Sequence, residues 1–519
     1  MVESARFRSN MPTIDDINAI HINTVHACGQ KETQWYDNPR GQVIEFHTEE
    51  ELNKFFVATP ATKPIIPSPE IFDSLSGEPP QSITALPSIS ECAVHLELLE
   101  VIHALRKRVI STQSLDKGLG LKPPTKSVFR RTYVSYRKYE NRKHTVKDPT
   151  FPKRSQAKWP VFLKIAAMRF ILWARKMEDL MEDRGGPHSE AKLPHLPPID
   201  VLAIWHAFLL NPGDYQRYCD KNALQYLKHV PFPWARITSE FKHEAIDSTN
   251  SDFSYKIPPA AGNWFARSLR LDPDLFDYIC LIGRQNRDAF VRKALVKFCG
   301  DDPAGVPTIE NSLGRHKEAD NPEEHAFISL LYQAERFNSV VKPLSDNVVR
   351  QGAFVDKMHG QLWIRSPVFS DTLRRAIDRY DNFTQLFKLN PGSTLVPTLD
   401  MDLAWHTHQL SHVRYKAAIQ EIAGRFIDHD DKIGTSTLNM WENITRKVYE
   451  KTFDEDYVRC LCWDCEAMLS VVEADDSPSM DDEWARTMTE KVREDLQYYR
   501  YVEVCRRKGY HLPARIESD

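Results

Sequence analysis

Several features that would announce a function are missing from this chain. Positive and negative charges nearly cancel over 519 residues, 68 lysines and arginines against 72 acids, so the overall balance asks for neither nucleic acid nor an anionic membrane. No stretch approaches the roughly 18 uncharged apolar residues of a membrane span. The N-terminus, MVESARFRSNMPTIDD, lacks the apolar core of a signal peptide. Nine cysteines, an odd number spread thinly, fit reduced thiols better than a secreted disulfide framework. A protein of the cytoplasm, or of the nucleus, is the expectation. There is no phosphate-binding glycine loop, GxSxG elbow, HExxH pair or dinucleotide fingerprint. Alternating strand patterns are scarce.

What is present is a repeated patch. Pro197, Asp200, Trp205, His206, Leu210 and Tyr215 recur as Pro397, Asp400, Trp405, His406, Leu410 and Tyr415, in the same frame to the residue. Adjacent tryptophan and histidine in two matched frames point to internal duplication. An aromatic helix precedes each copy, with Arg169, Phe170 and Trp173 in the first and Arg379, Tyr380, Phe383 and Phe387 in the second. Asp200 and Asp400 sit where an N-cap belongs, and Ser411 is placed to cap a new helix.

Helical spacing recurs over much of the chain: from Ile89, with Ser90 as its cap, then Trp159 to Leu180, Pro198 to Leu210, Asp274 to Phe298, Glu323 to Arg336, Asp371 to Leu389, Leu399 to Ile422, Leu438 to Tyr449, Tyr457 to Val472 and Glu483 to Lys508. The expected fold is all-α or mainly α, two helical modules related by internal duplication. Composition divides it into a proline-rich arm (1–88), module one (89–300), a linker (301–321), module two (322–473) and an acidic linker with a C-terminal helix (474–519).

The segments LPPIDVLAIWHAFLLNPGDY and VPTLDMDLAWHTHQLSHVRY resemble the two repeated motifs of the glycine-rich domain-containing protein-like family of plants and fungi. FIDHDDKIG (426–434), CLCWDCEAM (460–468) and, more loosely, ECAVHLELLEVIHALR (91–106) extend the resemblance. It implies a mainly helical domain, linked in plants to development and stress responses. With 19 glycines and no glycine-rich C-terminal tract, the chain departs from the plant members, and functions tied to that tract are not carried over.

Three clusters are candidates for chemistry. Asp402, His406, His408 and His412 are the residue types of a zinc or iron site. On one continuous helix, however, His406 and His408 point about 200° apart, while Asp402 with His406, and His408 with His412, share a face. The first copy has Leu202, Phe208 and Pro212 in place of Asp402, His408 and His412, so such a site belongs to module two. Two histidines and a carboxylate for iron would need a histidine from elsewhere, such as His429. The alternative is that Trp405 and His406 are packing residues, with the imidazole bonded to an acid or a carbonyl. Cys460, Cys462 and Cys465 form the second cluster, able to hold zinc, with Cys505 or a histidine as fourth ligand, or to cycle through a disulfide, although on a helix Cys460 and Cys462 face opposite sides and buried cysteines acting as small apolar residues are the leading alternative. The third is the basic stretch from Lys122 to Lys158, with Tyr133, Tyr136 and Tyr139 interleaved. It reads as a solvated helix face before it reads as a surface for RNA or an acidic partner.

A binding or scaffold protein with a protein partner leads these readings. A metal-dependent enzyme, an oxygenase or a tailoring enzyme of a biosynthetic pathway, follows, and nucleic-acid binding trails both.

Overall fold

The computed structural model describes residues 21–22, 42–43, 67–76, 84–119, 121, 124–136, 138–184, 192–241, 254–285, 298, 321–429, 435–474 and 482–508. Most of the proline-rich arm, the linker up to residue 320 and the acidic run at 475–481 lie outside these residues. The fold is mainly α-helical, and no helix among the described residues is long and apolar enough to cross a membrane.

The first long helix, α1 (Ile89–Ser111), is capped by Ser88 rather than Ser90: the Ser88 hydroxyl accepts from the Glu91 amide and the Glu91 carboxylate accepts from the Ser88 amide. This reciprocal box satisfies two of the otherwise orphaned donors of the first turn. Helix α1 is buried over most of its length because it lies between the two repeats.

In the first repeat α2 (Ser114–Gly118) and α3 (Phe151–Gln156) lead into α4 (Lys158–Asp183), followed by α5 (Ile199–Leu209), α6 (Pro212–Lys221) and α7 (Gln225–His229). Three further helices, α8 (Trp234–Glu240), α9 (Pro259–Leu269) and α10 (Leu275–Gln285), close this half. After α11 (Pro322–Arg336) and α12 (Asn338–Gln361), the second repeat runs through α13 (Phe369–Leu389), α14 (Leu399–Leu410) and α15 (His412–Ala423). Helices α16 (Thr435–Phe453), α17 (Trp463–Ala474) and α18 (Asp482–Lys508) complete the chain.

The expected helix from Leu399 to Ile422 is broken at Ser411, the N-cap residue of α15. That break removes the same-face relation of His408 and His412. The helix expected from Tyr457 begins only at Trp463.

The sequence expectation omits the shorter helices α2, α3 and α6 to α9, and two larger elements besides. Helix α12 contains Pro343, which costs one backbone donor and reads as a breaker, yet the helix packs against α1, α4 and α5. The basic stretch is not a helix: β1 (Thr125–Ser135) pairs antiparallel with β2 (Lys138–Lys147) in a ribbon exposed on both faces. β-branched and aromatic residues such as Val128, Phe129, Thr132 and Tyr133 favour this geometry. With neither face buried, no apolar alternation marks it.

One hydrophobic cluster runs from Cys92 in α1 to Cys505 in α18 and so spans both repeats. A smaller one gathers Tyr380, Phe383, Met401, Trp405, Tyr415, Tyr449 and Tyr457. Helix α14 sits between them, contributing Leu403 and Leu410 to the first and Met401 and Trp405 to the second.

Candidate metal centre

The recurring residues make matching contacts in both copies. Arg169 of α4 bonds Asp200 through Nε at 2.7 Å and reaches the carbonyls of Asp272 and Pro273. Arg379 of α13 bonds Asp400 at 2.7 Å and reaches the carbonyls of Asp456 and Tyr457. Asp200 and Asp400 are therefore not N-caps. They stand one residue inside their helices, after Pro198 and Thr398, as the anionic halves of buried ion pairs. The Tyr215 hydroxyl donates to Leu227 O and the Tyr415 hydroxyl to Ile427 O. These anchors align Leu227 with Ile427, and hence His229 with His429.

Where the copies diverge, chemistry enters. In the first, His206 Nε2 lies 2.9 Å from His95 Nε2, and His95 Nδ1 lies 2.9 Å from Thr407 Oγ1. The Thr407 hydroxyl proton goes to Leu403 O, so His95 Nδ1–H donates to Thr407 and His95 Nε2 accepts from His206. His206 is thus satisfied by another imidazole. His229 is exposed and bonds the Gln225 carbonyl of its own helix.

In the second copy His406 Nε2 faces two groups at once, Asp402 Oδ1 at 3.2 Å and His429 Nε2 at 3.3 Å. The three ligand atoms lie within 4.8 Å of one another. Asp402 and His406 are one helical turn apart on α14, so their side chains meet on one face. His429 comes from the segment after α15 and is fixed by the first repeat. Its Nδ1–H donates to Leu210 O at 3.1 Å, while the preceding Asp428 accepts from the Gly213 amide at 3.0 Å, at the N-terminus of α6. Gly213 is required for this approach, because a Cβ there would stand 2.2 Å from the Asp428 carboxylate. With Nδ1 protonated, His429 presents the Nε2 lone pair to His406.

The electrostatics favour uncharged imidazoles. Burial holds His406 well below its usual range, and the neighbouring His429, His95 and His206 push the same way. Burial takes His206 down to about 3. Asp402 is pushed up to about 7 by burial, with Lys357 opposing. Asp402 Oδ1 and His406 Nδ1 are both buried without a hydrogen-bond partner.

Of the four residues expected from sequence, the structure brings Asp402 and His406 together and leaves His408 and His412 elsewhere. His408 Nδ1 lies 3.0 Å from the Tyr380 hydroxyl, and burial holds it down to about 3. The His412 ring meets Tyr215 edge-on at 5.2 Å, bridging the repeats. Trp405 packs on Phe383 and Phe387, with its indole N–H donating to the Tyr415 hydroxyl at 3.0 Å. Cys460, Cys462 and Cys465 do converge, since the first two precede α17 rather than lying on it.

The family model for glycine-rich domain-containing protein-like sequences matches residues 320–418, which include Asp402 and His406 but not His429. Glycine-rich domain-containing protein 1 of Arabidopsis thaliana is 44% identical over 72 residues, 13% of this chain and 9% of that protein. Glycine-rich domain-containing protein 2 of the same plant is 33% identical over 93 residues, 16% of this chain and 12% of that protein. The matched stretch is therefore about a tenth of the length of these relatives. No solved structure matches the chain. The similarity to the glycine-rich domain-containing protein-like family thus runs from α11 into α15, the segment that builds the paired aspartate and histidine of the second copy.

Proposed function

We propose that Asp402, His406 and His429 hold one divalent transition-metal ion, zinc or iron, and that the chain is a metal-dependent protein. The observation that carries this reading is the pair of distances at His406 Nε2, 3.2 and 3.3 Å. Ligand atoms about 2.0–2.1 Å from one ion at tetrahedral angles stand about 3.3 Å apart. An Asp402 oxygen that stands this close yet accepts no hydrogen bond from the imidazole is oriented as a ligand rather than as an acceptor.

Two neutral imidazoles and a carboxylate suit zinc or iron and leave positions open for water or another small ligand. When bound, such an ion lowers the pKa of its water or binds an oxidant, which is the chemistry of the enzyme reading. The protein's part is placement: α14 sets Asp402 against His406, and the Leu210 carbonyl fixes the His429 tautomer. His406 Nδ1 lacks such an outer partner, so affinity falls below that of a fully supported centre.

The matching Arg–Asp and Tyr contacts support duplication of one helical unit, with the first copy kept for structure and the second carrying ligands. The scaffold reading draws on the first copy, where His95 and Thr407 close the imidazole network without a ligand position.

The test is elemental analysis of tag-free protein purified without chelator, in a Cys460→Ser/Cys465→Ser background so that metal on the separate thiol cluster is not counted. About one zinc or iron per chain is expected, lost in His406→Ala and His429→Ala and retained in the folded control His412→Ala. A thiol-substituted protein with Asp402, His406 and His429 intact that takes up neither metal on reconstitution overturns the proposal.

A further inference from the structure

The thiol cluster at the start of α17 is independent of the imidazole centre. Cys460 Sγ and Cys462 Sγ are 3.4 Å apart, and all three sulfurs, with Cys465, lie within 4.8 Å of one another. Cys462 is 9% exposed, while Cys460 and Cys465 are partly open to solvent. No disulfide joins them.

The backbone that carries these thiols is held on several sides. Trp363 Nε1 donates to Leu461 O at 2.9 Å, and Trp463 Nε1 donates back to Gln361 O at 3.0 Å, so two buried indoles clasp the segment to the end of α12. Arg500 grips Asp464 at 2.7 Å. Arg375 bonds both the carboxylate and the carbonyl of Glu466. Every residue from Leu461 to Glu466 that is not a cysteine is therefore tied to another helix or its flanking turn. Three cysteines serving as small apolar filler would need no such fixing, and two of them are not fully buried.

We propose that Cys460, Cys462 and Cys465 form a three-thiolate site for a thiophilic cation, Zn2+ or Cu+. Sulfurs about 2.3 Å from a central ion at tetrahedral angles are about 3.8 Å apart, between the shortest separation here and the outer bound of the cluster. Soft thiolates select these two ions, and the position of Cys465 in the first turn of α17 places its sulfur where the helix dipole favours negative charge. Binding exchanges three S–H bonds for three S–metal bonds and releases three protons, with no change of oxidation state at sulfur or metal. Water completes a tetrahedron on Zn2+, whereas Cu+ is content with three sulfurs. The consequence for the fold is a cross-link that locks the loop after α16 onto α17.

The experiment uses the full-length His406→Ala protein, so that failure of the imidazole centre does not affect the result. The protein is reduced, stripped with chelator and titrated with Zn2+ or with Cu+ against a chromophoric competitor. Co2+ serves as a spectroscopic reporter of sulfur ligation. One equivalent of Zn2+ or Cu+ is expected, with sulfur-to-metal charge transfer on Co2+ and binding about 100-fold weaker in Cys462→Ser. The ion that survives competition identifies the cation. Cys460→Ser, at the more exposed position, gives the same readout if Cys462→Ser does not fold, and Cys280→Ser leaves binding unchanged. Failure of both ions to bind the reduced protein, or binding unchanged in the folded cysteine variants, overturns the proposal.

Discussion

Replacing Asp400 with alanine strands the Arg379 guanidinium. Arg379 and Asp400 are 3% and 4% exposed, and the cation then keeps the Asp456 and Tyr457 carbonyls, a distant Thr398 hydroxyl and the face of the Tyr449 ring, none of them charged. Breaking a buried pair by removing one partner costs about 3–5 kcal/mol, because the remaining charge is left uncompensated. Arg379→Met strands the carboxylate instead, with Thr398 Oγ1 at 2.5 Å as its donor. It also abandons two carbonyls and should cost a similar amount. The double variant Arg379→Met/Asp400→Leu removes both charges, so its loss should fall short of the summed single losses by about 2–4 kcal/mol. Apparent stability from urea denaturation, followed by far-UV circular dichroism, measures all three. The same cycle at Arg169 and Asp200, 0% and 2% exposed, should give a coupling of similar size because the contacts match. Additive losses in either cycle would refute the reasoning, since they would mean that neither charge depends on the other.

Gly213→Ala should loosen His429 without touching it: the new Cβ collides with the Asp428 carboxylate and breaks the bond from the Gly213 amide. Metal affinity at the imidazole centre should drop about 10-fold in chelator competition, the usual cost of an outer-sphere loss, and an unchanged affinity would show that Leu210 alone places the ring. Glu97, buried against Thr238, is pushed up from 4.5 to about 8 by burial, with the Thr238 bond and Arg365 opposing. Below pH 4.5 the group is protonated whether the chain is folded or not; above it only the unfolded chain releases the proton, so stability falls as pH rises towards 8. Glu97→Gln should remove this slope and gain up to about 3 kcal/mol at pH 7 relative to its effect at pH 4.5, and parallel stability curves from pH 4 to 8 would count against it.

Much of the helical frame was legible because long amphipathic segments carry their own period. The paired frames of Trp205–His206 and Trp405–His406 located the divergence between the copies. Asp402 with His406 followed from helical spacing alone, and His429 was within reach because the same 200-residue offset that relates the motifs also relates it to His229. Other features depended on tertiary contacts. Asp200 and Asp400 look like caps until an arginine from the preceding helix claims each of them. His412 shares a face with His408 only if the helix continues through Ser411. Cys460 and Cys462 oppose each other on a helix but converge where the chain has not yet become one. Pro343 hid α12, since burial against three helices offsets a missing donor that sequence counts as a stop. The ribbon from Thr125 to Lys147 was hidden because solvent lies on both of its faces, and periodicity needs one face buried.

That ribbon has a consequence for how molecules of this protein meet one another. An isolated pair of strands has two open edges, each a row of unpaired amides and carbonyls ready to template another chain. Phe129 and Tyr136, 71% and 80% exposed, add apolar surface to the invitation. Against this stand eight lysines and arginines and one glutamate between Thr125 and Lys147. Two copies brought edge to edge would stack like charge on like charge at strand spacing, so the ribbon carries its own guard against self-association.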